Sequence, residues 1–346
     1  MGMVSSDVTL GLAAALVAAM LTYAFCQIAI RQRLVLDEVS ARSNHQIPTP
    51  RLGGAGVMIG FAAAAAIMMG ASLISSEMIP LIMLTFAAGI IGLADDLTTV
   101  SAGAKLLMLA VLSGFAAVVL GPVSQVPIPF VGWVELSPNM GMALGAFWLL
   151  AIVNVVNFMD GLNGLIGTAV VLVVVNMGLI MGGELGWLVL AVEAGVIGFL
   201  ACNAFSGRIF LGDAGSLSLG FLLGALPLVA DGEGRVFWLT PLVALPLIAD
   251  VAVTLVVRAR RGAALAEPHR EHLYQRLKAA GWSHQAVSLG LGAVIVLGAF
   301  MSRNLGPEVN VTPSAYWGSA IGLAAVWAVV MLVMRTLKPP HEDEPA

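Results

Sequence analysis

Long apolar runs without charge constrain this chain more than any other feature of its sequence. The runs are about 20 residues long, the length that a helix needs to cross about 30 Å of hydrocarbon. Of the 346 residues, 59% are hydrophobic and only 10% are charged, whereas a soluble domain has roughly 25% charged residues. The sequence therefore predicts an integral membrane protein rather than a water-soluble one.

Eleven of these runs predict membrane spans within one polytopic, all-α domain that covers residues 1–346. The sequence contains no internal repeat and no linker between two domains, and residues 336–346 read as a short, charged, disordered tail. The predicted spans are 8–30, 54–74, 78–94, 103–121, 140–157, 164–183, 186–203, 214–230, 236–257, 285–302 and 315–335.

The basic residues predict the orientation, because cytoplasmic loops of membrane proteins carry an excess of Lys and Arg. With the N-terminus outside, all of the 16 Lys and Arg residues except Arg235 and Arg303 fall on one side. That side comprises the loops 31–53, 95–105, 158–163, 204–213 and 258–284 and the C-terminal tail. The clean partition favours both the span assignment and a cytoplasmic C-terminus.

An acidic pair ends the third predicted span on this cytoplasmic side. The adjacent carboxylates of Asp95 and Asp96 repel each other unless a cation or a proton offsets their charge. A helix C-terminus also disfavours acidic residues. A solvated helix end is the simpler interpretation, but its cost favours a functional pair.

Two further segments place polar groups at the same predicted depth in the membrane as the acidic pair. Asn154, Asn157 and Asp160 are three residues apart, on one helical face at the inner end of an apolar span. Helix packing would explain the asparagines, although polar groups at membrane depth are costly and usually functional. Asp213 follows Gly212 just before the next span, where its carboxylate can cap that helix, and the small residues there also suit a phosphate. Together the acidic segments favour phosphoryl chemistry with Mg²⁺, which prefers carboxylate and phosphate oxygens.

The loop 258–284 is the most polar part of the chain. The positive-inside rule explains its first arginines, which would also suit anionic lipid head groups or phosphates. His269, Arg270 and His272 are harder to explain in this way. An arginine fork suits phosphate oxygens, and a histidine can bind a phosphate or transfer a proton near neutral pH.

Five segments, in order, resemble those of the polyprenyl-phosphate N-acetylhexosamine-1-phosphate transferases of glycosyltransferase family 4. They are DEVSARSNHQIPTPRLGG, GLADDL followed by SAGAKL, NVVNFMDGLNGL, IFLGDAGS and PHREHLYQRL, and the likeness spans residues 8–335. The resemblance implies a multi-helix fold in the bacterial inner membrane, with a periplasmic N-terminus and an active site open to the cytoplasm. It also implies a reaction that joins a UDP-N-acetylhexosamine, with UDP-N-acetylglucosamine or a derivative expected, to undecaprenyl phosphate. UMP would be released, Mg²⁺ or Mn²⁺ would be the cofactor, and the product would start a cell-envelope glycan.

The resemblance implies a role for each candidate residue. The expected catalytic residues are Asp95, Asp96, His269 and His272. The expected metal ligands are Asp213 and Asn157. The expected substrate contacts are His45, Arg51, Lys105, Asn154, Asn157, Asp160, Asn163 and Arg270.

Two departures from the family pattern are visible in the sequence. Asn163 stands where many members have a second aspartate, so a base contact there would use an amide. Tyr274 and Gln275 stand where other branches have histidines. This version of the histidine loop resembles the branch that initiates O-antigen and capsule synthesis.

Alternatives stay open for the mechanism and for the class of protein. The lipid phosphate attacks the β-phosphorus directly in one route, and an aspartyl-phosphate forms first in the other. The rival function is a transporter or flippase of a phosphorylated solute, although such proteins usually carry repeated halves and a mid-bilayer site. The expected partners are the sugar nucleotide, undecaprenyl phosphate and membrane lipid, with a homodimer as an option and no nucleic acid.

Overall fold

The computed structural model describes residues 2–37, 47–230, 236–264, 269–304 and 312–336. More than three quarters of these residues are helical, which confirms the predicted all-α class. The helices are α1 Gly2–Gln32, α2 Gly53–Gly70, α3 Ile79–Thr98, α4 Ala102–Leu120, α5 Pro138–Met159, α6 Leu165–Met181, α7 Gly183–Asn203, α8 Gly212–Val229, α9 Leu239–Val243, α10 Leu245–Arg260, α11 Leu273–Ala279, α12 His284–Asn304 and α13 Pro313–Thr336. The exceptions to the all-α pattern are two small antiparallel pairs, β1 Leu36–Asp37 with β2 Thr49–Pro50 and β3 Gln125–Ile128 with β4 Gly132–Glu135.

Nine helices in the described part of the chain are long and apolar enough to cross a membrane. A tenth candidate is the pair Val236–Val243 and Leu245–Arg260, which is bent by 64°. The predicted span 164–183 falls on α6, which is apolar but only 17 residues long. Ten of the predicted spans therefore coincide with one helix each, and 236–257 falls on the bent pair. The chain is a multi-pass membrane protein, while the count of eleven crossings stays a prediction.

The helix α8 forms the centre of the bundle. All its residues from Ala214 to Leu228 are buried, because α2, α3 and α5 pack around it. Both of its buried serines have hydrogen-bond partners. Ser218 Oγ donates to Ala214 O of the same helix at 2.7 Å, and Ser216 Oγ accepts from Asn157 Nδ2 of α5 at 2.9 Å. The start of this central helix is therefore held from several sides, which makes it a rigid platform for Asp213.

Glycines let α2 and α3 approach the start of α8 until the backbones touch. A Cβ added at Gly92 of α3 would come closer than 3.0 Å to the backbone of Asp213 and Ala214. A Cβ at Gly54 of α2 would meet the backbone of Gly215 in the same way. Small residues are what allow helices to pack this closely in lipid.

The Gly92→Ala substitution is expected to destabilise the fold, because neither backbone can move aside without opening the α3–α8 contact. Overpacking of this kind costs about 1–3 kcal/mol. Gly114→Ala in α4 is the matched control, since nothing lies within 4 Å of its added Cβ. In thermal unfolding of the detergent-solubilised protein, Gly92→Ala should lower Tm and Gly114→Ala should not. Equal Tm values for the two variants would contradict the close packing.

The inner ends of several helices converge on the start of α8. The segment before α2 pairs with the segment before α8: Phe210 N donates to Pro50 O at 2.7 Å, and Gly53 N donates to Phe210 O at 2.9 Å. The helices α3 and α5 end here, and α4 begins here. The short connections thus bring residues far apart in sequence to one end of the bundle.

Candidate active site

Lys105 joins two carboxylates at this end of the bundle. Its Nζ lies 2.9 Å from Asp95 Oδ2 and 2.5 Å from Asp213 Oδ2. The turn between α3 and α4 makes the approach possible, because Thr99 adopts a left-handed conformation and Ser101 caps α4. Lys105 therefore lies one turn into α4, opposite the end of α3. The structure thus brings together three residues, of which Asp95 and Asp213 are 118 positions apart in the sequence.

Asp96 points away from Asp95 and caps the neighbouring helix. Its carboxylate accepts hydrogen bonds from the backbone N–H groups of Asp213 at 3.0 Å and Ala214 at 2.9 Å. Its side chain is only 3% exposed, and Arg51 Nη2 donates to its backbone oxygen at 2.5 Å. A carboxylate is favourable at a helix N-terminus, where backbone N–H groups lack partners. The cap of α8 is therefore Asp96 and not Asp213, and the acidic pair at the end of α3 is explained.

Asn157 binds the other oxygen of Asp213. Its Nδ2 donates to Asp213 Oδ1 at 3.0 Å and to Ser216 Oγ at 2.9 Å. Since Lys105 binds Oδ2, the Asp213 carboxylate is fixed by one partner on each oxygen. Asp213 is thus the group on which α3, α4, α5 and α8 meet.

Asp160 lies just beyond the end of α5, in the turn to the next helix. The helix ends at Met159, so the prediction of one continuous helical face from Asn154 to Asp160 is wrong at its last member. Burial, together with the carboxylates of Asp213 and Asp96, raises the pKa of Asp160 to about 8. A cation near this turn would therefore stabilise the ionised form.

Asn154 takes no part in this cluster. Its Nδ2 donates to Leu150 O of its own helix at 2.7 Å, and it does not line the cleft described next. Its role as a substrate contact stays a prediction.

A cleft of about 1040 Å³ lies beside this cluster: Asp96, Asp160 and Asp213 line it, whereas Asp95, Lys105 and Asn157 do not. Its volume matches that of the larger ligand sites of proteins, which reach about 1,000 Å³. The predicted site residues that line it are Arg51, Asp96, Asp160, Asn163 and Asp213. Residues that the sequence interpretation did not single out also line it, among them Arg31, Arg33, Arg208 and His284.

These additional residues had only weak signals in the sequence. The arginines lie in loops where the positive-inside rule already explains basic residues. His284 begins α12 outside every motif, yet its Nδ1 accepts a hydrogen bond from Asn163 N at 3.1 Å. Asn163 packs so closely on Gly207 that an added Cβ there would meet its amide. Only the folded chain places His284 and Gly207 beside Asn163.

The histidine loop contributes no histidine to the residues that line the cleft, although Tyr274 of this loop contacts Gly161, which lines it. His269, Arg270 and His272 are not among those residues, and His272 is only 3% exposed. Burial and the nearby side chains of His272 and Arg258 lower the pKa of His269. Catalytic roles for both histidines therefore stay predictions. His45 lies outside the described residues.

A polar stripe on α10 holds the histidine loop. Asp250 Oδ1 accepts from Leu273 N at 2.9 Å and lies 3.4 Å from His272 Nδ1. Arg258, two turns further along α10, forms an ion pair with Glu271 and donates to Ala264 O at 2.6 Å. Arg258, which the positive-inside rule would explain, is therefore 6% exposed and stabilises the fold of the loop. The stripe fixes the loop at two points.

The donor set of the cleft suits a hard divalent cation. Among the described residues, no three His, Cys, Asp or Glu side chains converge closely enough to hold a metal ion by themselves. Mg²⁺ usually binds one or two carboxylates and completes its shell with waters and substrate phosphates. Asp213, with Asn157 and Asp160 nearby, offers oxygens of that kind. The residues therefore fit a metal ion that arrives with a phosphate substrate.

Known proteins are similar in sequence to the part of the chain that forms this site. The family model described as glycosyl transferase family 4 matches residues 78–231, the range that contains the acidic pair, Lys105, Asn157, Asp160 and Asp213. A phospho-N-acetylmuramoyl-pentapeptide-transferase of Symbiobacterium thermophilum is 33% identical over 283 residues, which cover 74% of this chain and 82% of that protein. The chain belongs to glycosyl transferase family 4, the polyprenyl-phosphate hexosamine-1-phosphate transferases.

Two further relatives are similar over most of the chain. A decaprenyl-phosphate N-acetylglucosaminephosphotransferase of Mycolicibacterium smegmatis is 29% identical and covers 88% of this chain and 83% of its own length. A probable undecaprenyl-phosphate N-acetylglucosaminyl 1-phosphate transferase of Bacillus subtilis is 28% identical, covering 72% and 71%. As a member of this family, the chain is a membrane-embedded phosphotransferase.

Proposed function

We propose that this family 4 transferase moves N-acetylhexosamine-1-phosphate from a UDP-N-acetylhexosamine to undecaprenyl phosphate and releases UMP. The observation that carries the proposal is the cluster of Asp95, Lys105, Asn157 and Asp213 beside a cleft large enough for a sugar nucleotide. The names of the relatives, which contain a polyprenyl phosphate and N-acetylglucosamine, support the two substrate classes. UDP-N-acetylglucosamine or a derivative is the proposed donor, and the product starts a cell-envelope glycan.

The reaction requires two anionic substrates to approach each other. An oxygen of the lipid phosphate attacks the β-phosphorus, and the bond from that phosphorus to the oxygen bridging the two phosphates breaks, so that UMP leaves. Lys105 and the arginines that line the cleft attract the phosphates and stabilise the charge of the transferring group. No strong base is needed, because the second pKa of a phosphate monoester is about 6.

The geometry favours Asp95 over Asp96 as the group that takes any remaining proton. Both oxygens of Asp96 already accept backbone hydrogen bonds, and the side chain is only 3% exposed. Asp95 also accepts on both oxygens, from Val100 N and Lys105 Nζ, so the difference lies in its exposure, which is 18%. Direct attack by the lipid phosphate is the proposed route, and a trapped phosphoryl group on Asp95 would establish the two-step route instead.

Mg²⁺, or Mn²⁺ in its place, is the proposed cofactor, with Asp213 as its main protein ligand and Asn157 or Asp160 beside it. When bound with the donor, the ion supplies positive charge to the diphosphate. Asp213 is suited to this role because partners on both of its oxygens orient its carboxylate. His269, His272 and Arg270 are proposed to act on the diphosphate only if their loop reaches the cleft.

The proposed location is the bacterial inner membrane, with the N-terminus in the periplasm and the cleft open to the cytoplasm. The basic residues support this orientation, because Arg31, Arg33, Arg51 and Arg208 all line the cleft. A soluble sugar nucleotide can reach a site that lies at the ends of the helices.

A donor panel tests the proposal. Purified protein with undecaprenyl phosphate and Mg²⁺ should release UMP from UDP-N-acetylglucosamine or from a related UDP-N-acetylhexosamine, with the lipid product resolved by mass. The same protein in sealed vesicles separates the rival function. Movement of a phosphorylated solute across the vesicle membrane, with no UMP released from any donor, would overturn the transferase proposal.

A further inference from the structure

Tyr274, one of the two residues that depart from the histidine pattern, contacts the turn that carries the acidic residues. Its hydroxyl donates a hydrogen bond to the backbone oxygen of Phe158 at 3.0 Å. The last carbonyl groups of a helix have no partner within that helix. Tyr274 therefore satisfies a carbonyl at the end of α5, one residue from Asn157 and two from Asp160.

The same side chain lies against the next residues of the turn. A Cβ added at Gly161 would come closer than 3.0 Å to the hydroxyl oxygen of Tyr274, and 3.0 Å from its Cζ atom. Tyr274 is only 4% exposed. Burial, with Asp250 and Asp160 nearby, raises the pKa of Tyr274, so its hydroxyl keeps its proton. The turn and the ring thus have no free space between them.

The helix that carries Tyr274 is itself anchored. Asp250 accepts a hydrogen bond from Leu273 N at 2.9 Å, and Arg258 pairs with Glu271. The ring of His272 stacks on that of Tyr274, with centroids 5.8 Å apart and planes 12° apart. A side chain held in this way can transmit the rigidity of α10 to the end of α5.

We propose that Tyr274 is a positioning residue, which fixes the end of α5 and the turn after it, and thereby the placement of Asp160 in the cleft and of Asn157 against Asp213. The inference rests on the proposed function for its kinetic consequence, but not for its structural one. It gives the α11 segment a role even though its histidines are not among the residues lining the cleft. The hydroxyl acts through the turn and does not touch the substrate.

The test removes only the hydroxyl group. Tyr274→Phe keeps the ring and its stacking, whereas Phe158 O loses its partner. Tyr316→Phe is the matched control, because Tyr316, near the start of α13, is 5% exposed and its ring makes edge-to-face contacts with Trp317 and Trp238. The substitution is therefore the same, in a similarly buried ring, outside the α11–α5 contact.

Hydrogen–deuterium exchange provides a readout that does not depend on the reaction. The backbone N–H groups of Asp160, Gly161, Asn163 and Gly164 are all hydrogen-bonded, so their exchange is slow and measurable. Tyr274→Phe should raise exchange in the peptide that covers these residues about tenfold, the effect of leaving one buried carbonyl without its partner. Tyr316→Phe should leave that peptide unchanged.

Kinetics of the full-length protein provide the second readout. Tyr274→Phe should lower kcat for UMP release about tenfold, since misplaced groups of an active site are costly, with Tm within the change seen for Tyr316→Phe. If Tyr274→Phe does not fold, Gly161→Ala keeps the hydroxyl and displaces the same turn, and it should give the same local exchange.

The outcomes separate this inference from the proposed function. Equal exchange and equal kcat in Tyr274→Phe and Tyr316→Phe would overturn the positioning role. Normal exchange in Gly161→Ala would overturn it as well. Absence of UMP release from the unmodified protein with every donor would instead refute the proposed function, and the exchange experiment would still decide the role of Tyr274.

Discussion

Asp213→Asn is expected to lower kcat by about a thousandfold, a loss typical of removing one preorganised electrostatic contact in an active site. The substitution keeps the size of the side chain but removes the charge that faces Lys105 at 2.5 Å. It also converts one oxygen that binds Asn157 or Lys105 into an amide group, which cannot serve both partners. The measurement is UMP release at saturating donor and lipid, over a series of Mg²⁺ concentrations.

The control for this prediction is Asp7→Asn, which removes a half-buried carboxylate near the start of α1. It should leave both kcat and Mg²⁺ dependence unchanged. An Asp213→Asn enzyme that keeps most of its activity, with the same requirement for Mg²⁺, would show that Asp213 is not the metal ligand.

Lys105→Met is expected to change two measurements in opposite directions. The ammonium group neutralises Asp95 and Asp213, so its removal leaves two carboxylates with uncompensated charge. A divalent cation should then bind the substrate-free protein more tightly, by about tenfold, because neighbouring like charges favour a counterion. Turnover should fall by about a hundredfold, because a cation that stabilises the transferring phosphate is lost.

Mn²⁺ binding followed by electron paramagnetic resonance measures the first effect, and UMP release measures the second. Lys278→Met in α11 is the control, since the described residues place no carboxylate in an ion pair with Lys278. It should change neither quantity. A Lys105→Met protein that binds Mn²⁺ more weakly would show that Lys105 supports the metal site rather than competing with the metal.

The acidic pair shows how far a local pattern can be interpreted. The sequence indicates that two adjacent carboxylates at a helix end are too costly to be incidental, and the structure agrees. The separate tasks of the pair depend on what lies opposite each carboxylate. Asp95 faces Lys105, whereas Asp96 faces the first N–H groups of α8, 117 residues further along the chain.

Arg258 and Tyr274 show where local patterns mislead. A cytoplasmic arginine has a sufficient explanation in membrane topology, so nothing in the sequence marks Arg258 as the buried partner of Glu271. Tyr274 is visible in the sequence only as the loss of a histidine. Its contact with Phe158 O depends on α11 packing beside α5, which no spacing within either segment encodes.

The sequence by itself determined that this is an all-α membrane protein, that its basic and motif residues gather in alternate loops, and which family it resembles. These conclusions follow from hydrophobic length, basic-residue placement and motif order, all of which are properties of contiguous segments. Only the tertiary structure decided which carboxylate caps α8, which residues share the cleft, and that the histidine loop contacts the cleft residue Gly161 through Tyr274. Such contacts join helices distant in sequence, and they depend on how closely backbones approach at Gly54 and Gly92.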